Sequence, residues 1–237
     1  MSGLSLVRIF LVLSLALASA GCLNNSSDSK TVGPEGIYNN LYKSNLDSNA
    51  FPWEGRVHER SKRWQGAITV YFAEPHSTTD EDRARVVRAM DEIESKVPMI
   101  QFDRRLDTLP EDDDVGLVIS FGSAVGAWGV INSNACGNVG GAPHAVSQSF
   151  SYPWNFYADS GEINTQLYVH IDSAKCRASH GVIIHEFGHA LGLGEHFEGF
   201  GIGPPINANF WNALWNLYNH EPGEDADIIR ATVNKAF

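Results

Sequence analysis

Positive charge, cysteine and long apolar runs are all scarce in this chain of 237 residues. The 17 Lys and Arg face 28 Asp and Glu, a formal net charge of −11. That balance argues against nucleic-acid binding, which needs clustered Lys and Arg against phosphate. It also argues against simple electrostatic adhesion to anionic lipid. Three cysteines exclude a small disulfide scaffold and a four-cysteine zinc ribbon. No apolar run reaches the roughly 20 residues that a helix needs to span a bilayer. What remains is an acidic globular composition. Its 43% of hydrophobic residues is too high for a disordered chain, and the length suits one sizeable domain with a real core.

The first residues read as an address. Arg8 supplies a positive charge, residues 9–18 an apolar run, and the small Ser19, Ala20 and Gly21 precede Cys22. This order of charge, apolar run and small residues belongs to signal segments, and here it resembles a bacterial lipoprotein signal. The resemblance implies a signal peptide over 1–21, a lipidated Cys22 at the mature N-terminus, and export to the bacterial cell envelope with a membrane anchor on Cys22. Ser19 stands where leucine is usual, so secretion without a lipid is the alternative. The polar run from Asn24 to Ser29 reads as a flexible tether. Residues 30–60, rich in Asn, Ser, Gly and Pro, read as an irregular lead-in. The expected division is therefore 1–21 signal, 22–63 anchor, linker and lead-in, and 64–237 folded domain.

From Trp64 the pattern sharpens. Residues 67–72 form a β-rich run closed by Glu74 and Pro75. Thr79, followed by Asp80, Glu81 and Asp82, opens a helix with a cap and an acidic first turn. Val86, Val87, Met90, Ile93 and Val97 recur at helical spacing, and Pro98 ends it. Strands are predicted over 115–121, 128–132 and 167–171, and helices over 179–193, 210–218 and 226–233. The acidic run 111–114 lacks the spaced ligands and turn glycine of a calcium loop and reads as a solvated loop. The order of elements gives a mixed domain of strands and helices.

One stretch carries chemistry. His185 and His189 stand four residues apart, so on a helix they share a face and can grip one Zn²⁺. Glu186 lies beside them, where a general base belongs. Gly192 lets the helix end sharply so that a third ligand can return to the metal. Two candidates follow it, Glu195 and His196. Ligand preference favours the imidazole, with the carboxylate as the alternative. A more distant glutamate, Glu221 or Glu224, is disfavoured because Pro222 breaks the helix such a site would use.

With these residues the chain resembles the metzincin zinc metallopeptidases, close to the matrixin and astacin families, whose motif is HExxHxxGxxH. Three further segments carry the resemblance. Arg63 to Ile68 is similar to the RWPxG segment at the start of the catalytic domain. Cys136 to Gly141 is similar to the astacin segment ending in VG and GG. Cys176, His180 and Gly181 resemble the lead into the zinc helix. Two departures stand out. The third ligand is displaced by one residue, since the family spacing falls on Glu195 and His196 follows. No methionine occurs after Met99, and in the segment Ala213 to Tyr218, which resembles the family's methionine turn, Trp215 takes the methionine place.

The resemblance implies an α+β, metzincin-like catalytic domain with a twisted mixed sheet, an active-site helix and a C-terminal helix. It implies a zinc endopeptidase, monomeric, acting on peptide or protein substrates, with Zn²⁺ on His185, His189 and His196, Glu186 as general base, and Tyr218 either as a transition-state donor or as a core aromatic. Export and the family position together imply a Cys136–Cys176 disulfide. Residues 51–56 faintly resemble the astacin pro-segment, but Arg56 replaces the blocking aspartate. Lys62 and Arg63 form a dibasic pair that is open as a processing site. The alternative function is a surface lipoprotein of the same fold that binds peptides or proteins without cutting.

Overall fold

The structure is a computed structural model, and the residues it describes are 31–47, 59–122, 125–126, 136–140, 145–146, 160–202 and 206–237. The signal segment with Cys22, the segment 51–56 and the strand expected over 128–132 lie outside them. No helix among the described residues is long and apolar enough to cross a membrane.

The described chain begins with a helix α1 (Pro34–Leu41) that runs into a single π-helical turn, Tyr42–Leu46. Pro34 occupies its first turn, where a missing N–H costs nothing. Ile37, Tyr38, Leu41 and Leu46 are buried in the main core. The irregular lead-in expected over 30–60 is thus corrected for this stretch. Its eight-residue helix is too short to stand alone in water, and it persists because its apolar face packs against the C-terminal helices.

β1 (Ile68–Phe72) follows, then α2 (Asp80–Lys96), β2 (Phe102–Arg104) and β3 (Gly116–Gly122). The Thr79 side chain accepts a hydrogen bond from the Asp82 amide at 3.1 Å, the expected cap. Val86, Ala89, Met90 and Ile93 are fully buried on one stripe, each large apolar side chain worth roughly 1.5–3 kcal/mol. Arg104 reaches back to Asp91 and Glu94, tying β2 to α2. The acidic loop at Glu111 to Asp113 is exposed as expected.

The short strands β4 (Val125–Gly126), β5 (Gly137–Gly140) and β6 (Ala145–Val146) lead to β7 (Gln166–Asp172). β1, β2, β3, β5 and β7 make one sheet in the order β2-β1-β3-β7-β5. All neighbours are parallel except β5, which runs antiparallel to β7. The expectation of an α+β fold with a mixed sheet agrees with this architecture. The remaining elements are α3 (His180–Ala190), the short pair β8 (Phe197–Glu198) and β9 (Gly201–Ile202), α4 (Ala208–Tyr218) and α5 (Ala226–Thr232). α3 packs against α2 and lies over β7 and β5.

Cys136 and Cys176 form the expected disulfide. It fastens the start of β5 to the approach of α3 across 40 residues, a closure worth about 3–4 kcal/mol by chain entropy.

α4 is the helix expected over 210–218, and it contains the segment that resembles a methionine turn. Its buried stripe includes three asparagines that bond to other parts of the chain. Asn209 accepts from the Val32 amide and donates to the Glu198 carbonyl. Asn212 accepts from the Ala236 and Phe237 amides. Asn216 and Asn234 exchange two bonds. Buried amides matched in this way avoid the cost of unpaired polar groups.

The dibasic pair is interior. Lys62 is 1% exposed and Arg63 9%. The Lys62 ammonium donates to the carbonyls of Asn45, Leu46 and Arg60. Arg63 donates to the carbonyls of His220 and Trp64 and lies over the Tyr218 ring. Trypsin acting on the native protein is therefore expected to spare both bonds and to cut them after denaturation. A native-state fragment beginning at Arg63 or Trp64, identified by mass spectrometry, would contradict this placement.

Candidate metal centre

α3 presents His185 and His189 from successive turns, and the chain returns after Gly192 to bring His196 against them. The Nε2 atoms of the three histidines stand 3.1 Å from one another, pair by pair. Three nitrogens sharing one ion at about 2.0–2.1 Å in tetrahedral geometry would be about 3.3 Å apart. His196, rather than Glu195, completes the cluster.

The return depends on one backbone position. Gly192 has φ +117°, a conformation that suits glycine and strains other residues. A side chain there would also meet the Lys62 carbonyl at 2.7 Å. The carbonyls of Phe187, Gly188 and His189 are taken by the backbone amides that follow α3, and the next three, which no helical amide reaches, are taken by side chains from elsewhere. Trp64 Nε1 donates to the Ala190 carbonyl, Tyr218 Oη to Leu191, and Asn45 Nδ2 to Gly192.

The hydrogen bonding also fixes what each ring can do. His189 Nδ1 lies 2.6 Å from the Leu193 carbonyl. A carbonyl only accepts, so Nδ1 carries the proton and Nε2 faces the cluster as a lone pair. Burial holds His185 down to about 4, with His196 beside it adding to the shift. His189 is held well below its ordinary value by burial and by both neighbouring imidazoles. His196 is lowered by burial and by Lys43, against the opposing pull of Glu195. All three are neutral at physiological pH. Three neutral imidazoles aimed at one point cannot all be satisfied by protons on each other, whereas one cation satisfies every lone pair. The donor set fits a divalent metal of the zinc class.

Under the rings lies Phe200, fully buried. Its ring centre is 4.7 Å from those of His185 and His189 and 5.6 Å from that of His196. Phe210 of α4 stacks behind it at 5.3 Å. Gly188, between the two histidines of α3, makes room: a Cβ there would come within 2.6 Å of Phe210 and 2.8 Å of Phe200. The aromatic floor is therefore Phe200, and Trp215, which takes the methionine place in the resembling segment, is a half-buried helix residue at the core's margin. No motif identifies Phe200; its only signal was an aromatic held between Gly199 and Gly201 shortly after the histidines.

Glu186 is buried at 5% exposure, and its carboxyl lies directly over the α-carbon of Gly137, where a Cβ would approach within 2.5 Å. Burial pushes it up to about 8. Tyr218 is also buried, with its hydroxyl engaged by the Leu191 carbonyl and its ring under Arg63. Of the two roles open to it, this environment is that of a core aromatic. His170 is buried on β7 against Ser120, and His180 pairs with Glu92 of α2.

No protein-family model matches the chain, and a search of curated proteins finds no match. The candidate site therefore stands on its geometry.

The burial of Glu186 has a measurable sign. Its carboxyl holds a proton more tightly in the folded chain, about 8, than its ordinary value of 4.5. Stability from this group is therefore complete below the ordinary value and is lost as pH rises through the folded one. Glu186→Gln removes that loss. The metal-free variant is expected to melt above the metal-free wild type at about pH 9, with the gap closing toward about pH 4. A gap independent of pH in calorimetric melts would refute the burial argument.

Proposed function

We propose that this chain is a zinc-dependent endopeptidase of metzincin type, exported and anchored to the cell envelope through Cys22. The observation that carries the reading is the triangle of neutral histidine nitrogens with the buried Glu186 next to His185 on the same helix. His185, His189 and His196 would hold the metal. When bound, zinc supplies a Lewis acid that polarises a carbonyl and lowers the pKa of water toward about 7.

The chain's own residues do the rest. Glu186 accepts a proton from the attacking water and passes it to the leaving amine nitrogen. The same burial that makes its carboxylate basic makes it an effective acceptor, and a nearby cation keeps it ionised while it waits. Gly137 leaves its carboxyl the space to sit against β5. Phe200 excludes water from beneath the imidazoles, which keeps them neutral. Tyr218 is not needed in this scheme, because its hydroxyl is spent on the end of α3. The alternative is a surface lipoprotein of the same fold that binds peptides or proteins without cutting, with the displaced third ligand and the absence of a methionine after Met99 in its favour.

The test combines metal content with turnover. Purified protein is expected to hold about one zinc per chain, and a His185→Ala, His189→Ala double variant to lose it. Glu186→Ala is expected to retain the metal and lower cleavage of a peptide library by about 10²–10⁴-fold. Full hydrolysis by Glu186→Ala would remove the base assignment, and a zinc-loaded wild type that cuts nothing would favour the binding protein.

A further inference from the structure

The residues that hold the metal cluster in place come in part from ahead of the domain that the motifs mark out. Ser44 and Asn45, in the π turn that ends the N-terminal helical segment, are both fully buried. Asn45 Nδ2 donates to the Gly192 carbonyl and to the Lys62 carbonyl, each at 2.7 Å. Its Oδ1 accepts from the Lys62 amide at 3.0 Å. The Gly194 amide donates to the Ser44 carbonyl at 2.6 Å. Two of the five residues between α3 and the third histidine are thus bonded to one turn of the N-terminal segment. The residue between them, Leu193, carries the carbonyl that orients His189.

The turn is itself fixed. Its wide i→i+5 closure, Asp47 amide to Tyr42 carbonyl at 2.8 Å, leaves the carbonyls of Asn45 and Leu46 for the Lys62 ammonium. π-helical turns of this kind recur where backbone groups are diverted to a site. Glu35 pairs with Arg230, and the Val32 amide bonds to Asn209, so the N-terminal end of the segment is held as well.

We propose that the π turn Tyr42–Leu46 is a positioning element of the metal centre, which through Ser44 and Asn45 clamps the 192–194 link and thereby aims His189 and delivers His196. This rests on the metal-binding reading above. It makes residues 34–47 a working part of the domain.

The test compares two buried asparagines that each bind backbone. Asn45→Ala removes the clamp, and Asn216→Ala removes the bond to the C-terminal tail at Asn234. Zinc affinity is read by competition with a chromogenic chelator, and hydrogen exchange at residues 192–196 is read on the metal-free protein. Asn45→Ala is expected to weaken zinc binding by about 10–100-fold, the range for residues that orient ligands, and to speed exchange at 192–196. Asn216→Ala is expected to lower the melting temperature while leaving both readouts near wild type. If Asn45→Ala does not fold, Asn45→Asp, which keeps the acceptor for the Lys62 amide and loses the donor, takes its place. Unchanged zinc affinity in the Asn45 variant, or equal weakening in the Asn216 variant, would overturn the proposal. If the wild type binds no zinc, the functional reading fails by itself, and the exchange comparison decides the clamp: faster exchange at 192–196 only in the Asn45 variant sustains it, and equal rates overturn it.

Discussion

The structure turns on how α3 ends. A helix that stops inside a protein leaves its last carbonyls without amides, and in a buried place each costs free energy unless another donor reaches it. Here three successive carbonyls, of Ala190, Leu191 and Gly192, are reached by Trp64, Tyr218 and Asn45. The donors come from the start of β1's approach, from α4 and from the N-terminal turn. Three distant parts of the chain are therefore required at one point, and the core closes around that point. The helix end is fixed from outside, so the imidazoles on its last turns do not fray with it.

Around that end the protein places polar groups where apolar ones would be more stable. Three imidazoles stay neutral and one carboxyl is pushed toward its protonated form because water is kept away. Phe200 and Phe210 provide the dry wall, and Gly188 allows it to come close. Without a cation these groups oppose one another. A bound cation would give the three lone pairs a common partner, and its binding would add to the stability of the fold.

Much of this was legible in the residues, and the reasons are physical. α2, α3, α4 and α5 announce themselves by helical patterns and stop signals, and β1, β3 and β7 by short apolar, β-rich runs that are buried almost throughout. The two helical histidines and Glu186 were legible for the same reason, since a fixed helical period places ligands on a fixed face. The choice of His196 over Glu195 came from ligand chemistry, while its position came from a glycine turn that no periodicity describes. The N-terminal helix was not legible. Its sequence is rich in residues that favour turns, and its helicity is stabilised by tertiary contacts of Ile37, Tyr38 and Leu41. The three asparagines in α4 would count against a helix on propensity, and there the tertiary bonds they make reverse the preference. Phe200 carried no pattern because a floor is defined only by what rests on it.

The extra residue between the glycine and the third histidine has a structural account in the same terms. A link that spans from a helix end to a ligand needs a fixed length only if nothing else holds it. Here the link is held midway, with Gly192 and Gly194 both bonded to the turn at Ser44 and Asn45. The added residue is taken up beyond that hold, so Glu195 occupies the half-buried step and His196 the metal-facing one. An outside clamp therefore allows what a free loop would not, a third ligand one residue late with its nitrogen still 3.1 Å from both others. In the proposed reading the clamp supports a third ligand one residue beyond the metzincin spacing, and removing it would leave that ligand without support.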